Sequence, residues 1–365
     1  MKSKVAVVRC NGYDFEEVKK TIQESLELIG GLGSIVKKGS KVLLKPNIAG
    51  PFPPEQGATT HPVVIKAMIQ LVKEVGGIPV VGDGPGTILP AFEISGIVKV
   101  ADEEGIEVIL FDKNGFEMAK IPTGEQLKET HFSKDVLEAD IVISMPKLKT
   151  HVFVYYTGAI KNMFGALLAD SRKKTHRIDD AELFSKALVD IFTIRKPDLA
   201  VMDGIVGMEG VGPTHGQVKE GGIIISSTDS VALDAVSSAI IGYDPMDIPT
   251  TKDAYMRGLG NGRLEEIEIL GSQINEVKVD FKRVPILSGR DKKRFMRLAL
   301  GHLVVNNKKC KKCEVCVEHC PVEAIRLAPY PTIDRKICVY CYCCFELCPE
   351  GAMMFDEKSM IGKSS

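Results

Sequence analysis

Near its carboxyl end the chain writes one cysteine pattern twice. Cys310, Cys313, Cys316 and Cys320 precede Pro321, and Cys338, Cys341, Cys344 and Cys348 repeat the same spacing before Pro349, 28 positions later. Thiolates this close together constrain the fold strongly, because the backbone has to wrap each group around one small inorganic core. Each set of three closely spaced cysteines can cap three corners of a [4Fe-4S] cubane, and the fourth, carried away before its proline, ligates the other cluster. The expected ligation is therefore crossed. One set is Cys310, Cys313, Cys316 and Cys348, and the other is Cys338, Cys341, Cys344 and Cys320. Zinc also accepts four thiolates at short spacing, and disulfides are a further use of paired cysteines. Two complete repeats, each closed by a proline, select two [4Fe-4S] clusters.

Over about residues 306–356 the stretch resembles a bacterial-type two-cluster ferredoxin, and we place that domain at 306–358. Cys320-Pro321-Val322-Glu323-Ala324-Ile325 is echoed by Cys348-Pro349-Glu350-Gly351-Ala352-Met353, as expected of two halves on a pseudo-twofold axis. Cys343, an extra thiol beside ligand Cys344, reads as a small apolar filler. Solitary Cys10 reads as a buried hydrophobe for the same reason.

The other 300 or so of the 365 residues suffice for one large domain or two small ones. With nine of ten cysteines at or after Cys310, cysteine serves metal and not cross-linking, which predicts reducing, cytoplasmic chemistry. A net charge of -1 argues against a nucleic-acid surface, and the absence of a leader or a membrane-length apolar run argues against a membrane.

From residue 4 onward short apolar strands alternate with amphipathic helices. The strands are 4–9, 42–44, 78–81, 107–111, 140–144, 199–202 and 223–226. Asp14 and Glu17 suggest a capping box for a helix with Phe15, Val18, Ile22 and Leu26 on one face. Pro62 opens a second helix, 180–194 forms a third, and 230–241 a fourth opened by Asp229 or Ser230. This alternation predicts an α/β domain over 1–280, with a largely parallel sheet and helices on both faces, followed by the small α+β two-cluster domain.

Polar residues collect where these strands end. Lys45-Pro46-Asn47, Gly82-Asp83-Gly84-Pro85-Gly86, Met145 to His151, Asp203-Gly204 and Ser226 to Asp229 each follow a strand. In a parallel sheet those ends share one edge, and ligands bind there. Thr59, Thr60 and His61 stand at a helix start, where free amides favour an anion, and Thr60 suits the cap itself. Lys147, Lys149 and Lys161 would neutralise a carboxylate or phosphate, and His151 would supply a proton near neutral pH. Lys45, Asn47, Thr60, His61 and Asp203 join the three lysines as binding candidates; His151 and Asp83 are the catalytic ones. The glycine-rich stretch Gly207 to Gly216 reads as a lid or a surface turn. A mononuclear metal site drawing on His61, His151, His215 and Asp83 is disfavoured by their dispersion. Glycine spacing matches no nucleotide fingerprint.

Lys45-Pro46-Asn47, Thr59-Thr60-His61-Pro62, Gly82-Asp83-Gly84, Pro146 to His151, Lys161-Asn162 and Asp203-Gly204 together resemble the family of domain of unknown function 362, over about residues 4–275. That resemblance implies association with iron-sulfur chemistry and no established reaction. The fold is also distantly similar to the N-terminal domain of nickel-dependent lactate racemase. Between the domains, 281–305 is a basic stretch with one apolar side, which reads as a linker helix or a docking patch for an acidic electron carrier.

Two function classes follow. One is an oxidoreductase relaying electrons through the clusters to an anionic small molecule or cofactor at the strand ends, supplied by a redox partner. The other is a non-catalytic electron carrier or binding protein whose α/β domain docks a partner or metabolite.

Overall fold

A computed structural model describes residues 2–84, 88–284 and 302–356. Most of the basic stretch 281–305, with Pro85 and Gly86, lies outside the described residues.

The strands of the large domain are β1 (Ser3–Arg9), β2 (Lys41–Pro46), β3 (Ile78–Asp83), β4 (Val108–Leu110), the hairpin β5 (Phe116–Lys120) and β6 (Glu129–Ser133), β7 (Ile141–Met145), β8 (Lys147–His151), β9 (Tyr155–Thr157), β10 (Leu199–Glu209), β11 (Gln217–Ser227) and β12 (Ile267–Gly271). The main sheet runs β12-β1-β11-β10-β7-β2-β3-β4, with β8 on β10 and β9 on β8. Strands β12, β1, β10, β7, β2, β3 and β4 run in one direction. Strand β11 opposes both neighbours. The expected mostly parallel α/β sheet is therefore present. The end of β11 is not at the site edge, because an antiparallel strand finishes at the opposite end of the sheet. Asp229 there caps helix Ser230–Ile240, accepting from Val231 and Ala232 N–H, and receives the Ser3 hydroxyl.

Strand alternation divides the core between the sheet's faces. Val42, Leu44, Val81 and Ile143 pack under helices Phe15–Leu28 and Pro62–Glu74, while Leu43, Val80, Val142 and Ile109 join helix Ala181–Ile194 on the other face. Each such fully buried aliphatic side chain contributes about 1.5–3 kcal/mol. The first helix is capped as expected by Asp14, which accepts from Glu17 N–H, although the Glu17 carboxylate turns to Asn11 N–H instead of closing the box.

The C-terminal domain pairs β13 (Leu303–Val305) with β16 (Met353–Phe355) and β14 (Ile325–Leu327) with β15 (Pro331–Ile333). It packs on the face that carries helix Ala181–Ile194, sharing one apolar core with it. Polar ties reinforce the joint: Lys173 Nζ donates to Glu318 O at 3.0 Å and Arg177 Nε to Pro321 O at 2.8 Å.

Candidate functional site

The carboxyl edge of the sheet carries two separate polar networks. In the first, Lys45 at the end of β2 meets Asp83 at the end of β3, with Nζ 2.5 Å from Oδ1. Asp83 also accepts from Gly84 N–H at 2.8 Å and Ile48 N–H at 3.1 Å, so its carboxylate is fully engaged and holds the lysine instead of standing free as a base. Glycines shape this wall: a Cβ on Gly84 would stand 1.6 Å from Gly165 O, and one on Gly165 would stand 2.5 Å from Asp83 Oδ1. Only bare backbone lets the segment after Lys161 close over the pair.

The second network is inward. Lys147 Nζ lies 2.7 Å from Asp203 Oδ2, both side chains fully buried, and also donates to the Tyr13 hydroxyl at 2.7 Å. Asp203 receives Tyr13 OH and His61 N–H. The His61 ring stacks on Tyr13 at 3.6 Å and accepts from Val63 N–H, so His61 and not Thr60 caps helix Pro62–Glu74. Thr60 instead donates to Met145 O and accepts from Asn47 N–H, pinning two strand ends together. Burial holds the His61 imidazole down at about 4, against the pull of Asp203. Lys147, Asp203 and His61 thus share one network, and Thr60 is engaged by the strand ends beside it.

The stretch from Lys147 to His151, expected only to follow a strand, is itself strand β8, beside β10 and β9. It carries Lys149 toward a cavity of about 160 Å³ that lies between the two domains. Lys45, Asn47, Asp83, Lys149, Lys161, Asn162, Arg172, Lys173 and His176 line it from the large domain, and His319, Cys343, Glu346 and Leu347 from the small one. Pro213 and Thr214 close one side, so the glycine-rich stretch is a wall, tied by Gln56 Nε2 to Thr214 O at 2.6 Å. His215 is packed against the Phe52 and Phe345 rings, and the four residues of the mononuclear-metal alternative are dispersed among these different settings.

Five basic side chains against two carboxylates bias this cavity toward an anion. Burial lowers the pKa of Lys161, and lowers that of Lys149 well below the usual lysine range with help from the Lys161 and Lys147 charges. Arg172 is lowered by burial too. An anion would reverse that penalty. Asn47 Oδ1, Thr157 Oγ1, Asn162 Oδ1, His176 Nδ1 and Glu346 Oε1 are buried without a hydrogen-bond partner among the described residues. Each such atom costs about 1–3 kcal/mol unless a ligand or water meets it. Asn162 is fixed in orientation, since its Nδ2 donates to Lys45 O and Ser144 Oγ. The volume lies below the roughly 300 Å³ at which drug-sized sites begin, so a small anion fits and a dinucleotide does not.

His151 lies just behind this lining. Its Nδ1 accepts from Phe153 N–H at 3.0 Å, which leaves the proton on Nε2, 3.5 Å from Glu346 Oε1. Burial, followed by the charges of Lys161 and Lys149, pushes its pKa well below the usual value. Burial thus works against the protonated form that the sequence-based expectation gives His151 near neutral pH.

The cysteine groups lie close together, with Cys344 interacting electrostatically with Cys316 as well as with Cys341, Cys338 and Cys320. Cys310, Cys313, Cys316 and Cys348 line one recess, and Cys338 and Cys344 each lie close enough to interact electrostatically with Cys341 and Cys320. The 28-residue repeat is written into the backbone as well: φ is 58° at Lys312 and 55° at Tyr340, 61° at Glu314 and 63° at Tyr342. Left-handed conformations at non-glycine residues persist only where their surroundings impose them, and here they curl both loops around their thiols. Cys320 Sγ accepts from Ala324 N–H at 3.1 Å and Cys348 Sγ from Ala352 N–H at 3.2 Å. This donor set suits [4Fe-4S] ligation.

The model of a domain of unknown function, DUF362, matches residues 42–239, more than half of the chain. This chain belongs to the DUF362 family. A 4Fe-4S binding domain matches residues 303–326. A thylakoid-associated protein from Synechocystis sp. is 33% identical over 289 residues, covering 78% of this chain and 88% of that one. Among solved structures, lactate racemase apoprotein from Thermoanaerobacterium thermosaccharolyticum aligns with a TM-score of 0.44 at 12% identity, over 66% of this chain and 57% of that chain's length. A Thermotoga maritima protein aligns at 0.38 and 11%, over 69% and 60%. No helix among the described residues is long and apolar enough to cross a membrane.

In this DUF362 chain the cavity gathers Lys45, Asn47, Asp83, Lys149 and Lys161 from the sequence-derived candidates, and separates them from Lys147, Thr60, His61 and Asp203. Sequence reasoning missed Asn162 as a lining residue, along with Arg172, His176 and Glu346. Asn162 stood beside Lys161 in a motif already noted. Arg172 and Glu346 lie on short helices and His176 just after one, each facing the other domain, and no local spacing marks them. Cys343, read as filler, is buried as expected and also forms part of the cavity roof.

Proposed function

We propose that this chain is an iron-sulfur oxidoreductase that exchanges electrons with a small anion held in the interdomain cavity, through two [4Fe-4S] clusters on the crossed cysteine sets. Bound there, the clusters supply one-electron storage and transfer. The observation that carries the reading is the composition of the cavity: its walls hold Lys149, Lys161 and Arg172, while its roof is Cys343 and Leu347, immediate neighbours of ligands Cys344 and Cys348, with Glu346 between them. His319, next to ligand Cys320, lines it too. The set Cys320, Cys338, Cys341 and Cys344 is thus the one facing the anion.

The chain's own residues do the binding. Lys161 and Arg172 neutralise the ligand, Lys45 is held in place by Asp83, and Asn162 Oδ1 offers a fixed acceptor. Shared walls from both domains narrow its access to bulk water, which strengthens each charge-assisted contact. Native mass spectrometry of protein purified without oxygen tests this, together with iron and sulfide analysis. The expected result is about eight iron and eight sulfide per chain and a retained small anion that is lost on Lys161→Met substitution. Stoichiometric zinc would contradict the cluster assignment. A retained anion that never alters cluster redox state would favour the carrier alternative.

A further inference from the structure

The cavity accounts for one end of the electron path, and the opposite end shows a different surface. Cys313 is exposed, whereas Cys316, Cys320, Cys341, Cys343 and Cys348 are buried. Just before it in sequence come Lys308, Lys309, Lys311 and Lys312, four exposed lysines in five positions, and Lys311 and Lys312 share its recess. The backbone presents them deliberately. Asn306 Oδ1 accepts from Lys308 N–H at 3.0 Å and Lys309 N–H at 3.3 Å, fixing a tight turn, and Lys312 sits at φ 58° with its ammonium 4.6 Å from the Tyr330 ring. Exposed Glu314 and Glu350 are the neighbouring acids, so the patch keeps a positive excess on a chain whose total charge is -1.

We infer that these four lysines form the docking surface for a one-electron carrier protein with a negatively charged face. The inference rests on the redox reading above, and adds where electrons are exchanged and with what kind of partner. An electropositive rim around an exposed redox thiolate orients an acidic carrier with its own cofactor toward that thiolate, and long-range attraction raises the encounter rate. In reduction of this protein, one electron leaves the carrier's cofactor, which is oxidised, and enters the cluster set of Cys310, Cys313, Cys316 and Cys348; no bond or proton moves. A lipid or nucleic-acid surface would use the same charge without needing the exposed thiolate at its centre.

The test uses the full holo-chain with an acidic flavodoxin as probe and a basic c-type cytochrome as control. Carbodiimide, which joins a lysine to a carboxylate as an amide with loss of water, should link the flavodoxin to Lys308, Lys309, Lys311 or Lys312. The yield should collapse at about 0.5 M salt, where screening is nearly complete. Lys308→Glu/Lys309→Glu and, separately, Lys311→Glu/Lys312→Glu should each slow reduction by flavodoxin about tenfold or more at low salt. Lys→Gln versions of each pair guard against misfolding and should show a smaller loss. Reduced methyl viologen, a small cation, should reduce parent and variants alike or the variants faster. Cross-links elsewhere, or unchanged flavodoxin rates in the folded variants, would overturn the proposal. So would lysine-dependent binding to phosphatidylglycerol vesicles with flavodoxin rates untouched, or preference for the cytochrome. If viologen itself failed to load electrons into the parent, the redox reading would fall first.

Discussion

Replacing Lys147 by Met separates a structural lysine from a ligand-binding one. From sequence, Lys147 looks like one of three ligand grips. In the fold its ammonium is wholly buried 2.7 Å from Asp203. Removing one partner of such a pair leaves the other charge uncompensated and costs about 3–5 kcal/mol. Asp203 keeps donors from Tyr13, His61 and Ile205, which puts the cost near the low end, about 3 kcal/mol. For a domain of this size each kcal/mol moves the melting point by about 2 °C, so calorimetry of the anaerobic holoprotein should show a fall of roughly 6 °C. Adding Asp203→Leu removes the stranded charge and should restore part of the loss, a non-additivity expected of contacting residues. A Lys147→Met protein that melts within 1 °C of the parent and binds the anion at least tenfold more weakly would refute the reasoning and return Lys147 to the binding site.

Two further outcomes follow from the same geometry. His61 is held at about 4 by burial, below the roughly 6.5 of an unfolded histidine, so only the unfolded chain takes up that proton and the residue's contribution is lost as pH falls below 6.5. Relative to His61→Asn, which keeps a capping acceptor, the parent should lose about 1 kcal/mol between pH 7 and 5.5; the difference between variants is the proper readout, because buried Asp234, raised to about 7, slopes the other way. A flat difference would mean that the ring is not buried as described. Cys320→Ser should chiefly damage the cluster of Cys338, Cys341 and Cys344, read by electron paramagnetic resonance of the reduced protein; loss of the Cys310, Cys313 and Cys316 signal instead would undo the crossed assignment.

What the sequence made legible follows the range of the interactions involved. The cysteine sets were readable because ligand spacing is local, and the strand–helix alternation because hydrophobic period is local too. Asp14, Pro62 and Asp229 marked helix starts for the same reason. The direction of β11 was not readable: its three apolar residues, Ile223 to Ile225, fit either orientation, and only pairing with β1 and β10 decides it. Lys147 and Lys149 are two residues apart on one strand, yet one is neutralised by Asp203 and the other reaches the cavity. That distinction depends on a partner 56 positions away in sequence. Arg172, His176 and Glu346 acquire their role when two domains close on each other, which no single stretch of sequence records.

The proposed function requires that an anion in the cavity exchange electrons with the clusters beside it. The direct measurement is stopped-flow reoxidation of reduced protein mixed with the anion that it retains, for the parent and for Lys161→Met. Loss of one charge-assisted contact should raise the half-saturating concentration about 10- to 100-fold, from about 1.5–3 kcal/mol, while the iron and sulfide content stays unchanged. Reoxidation at the same rate and the same half-saturation in both proteins, or none in the parent, would contradict it.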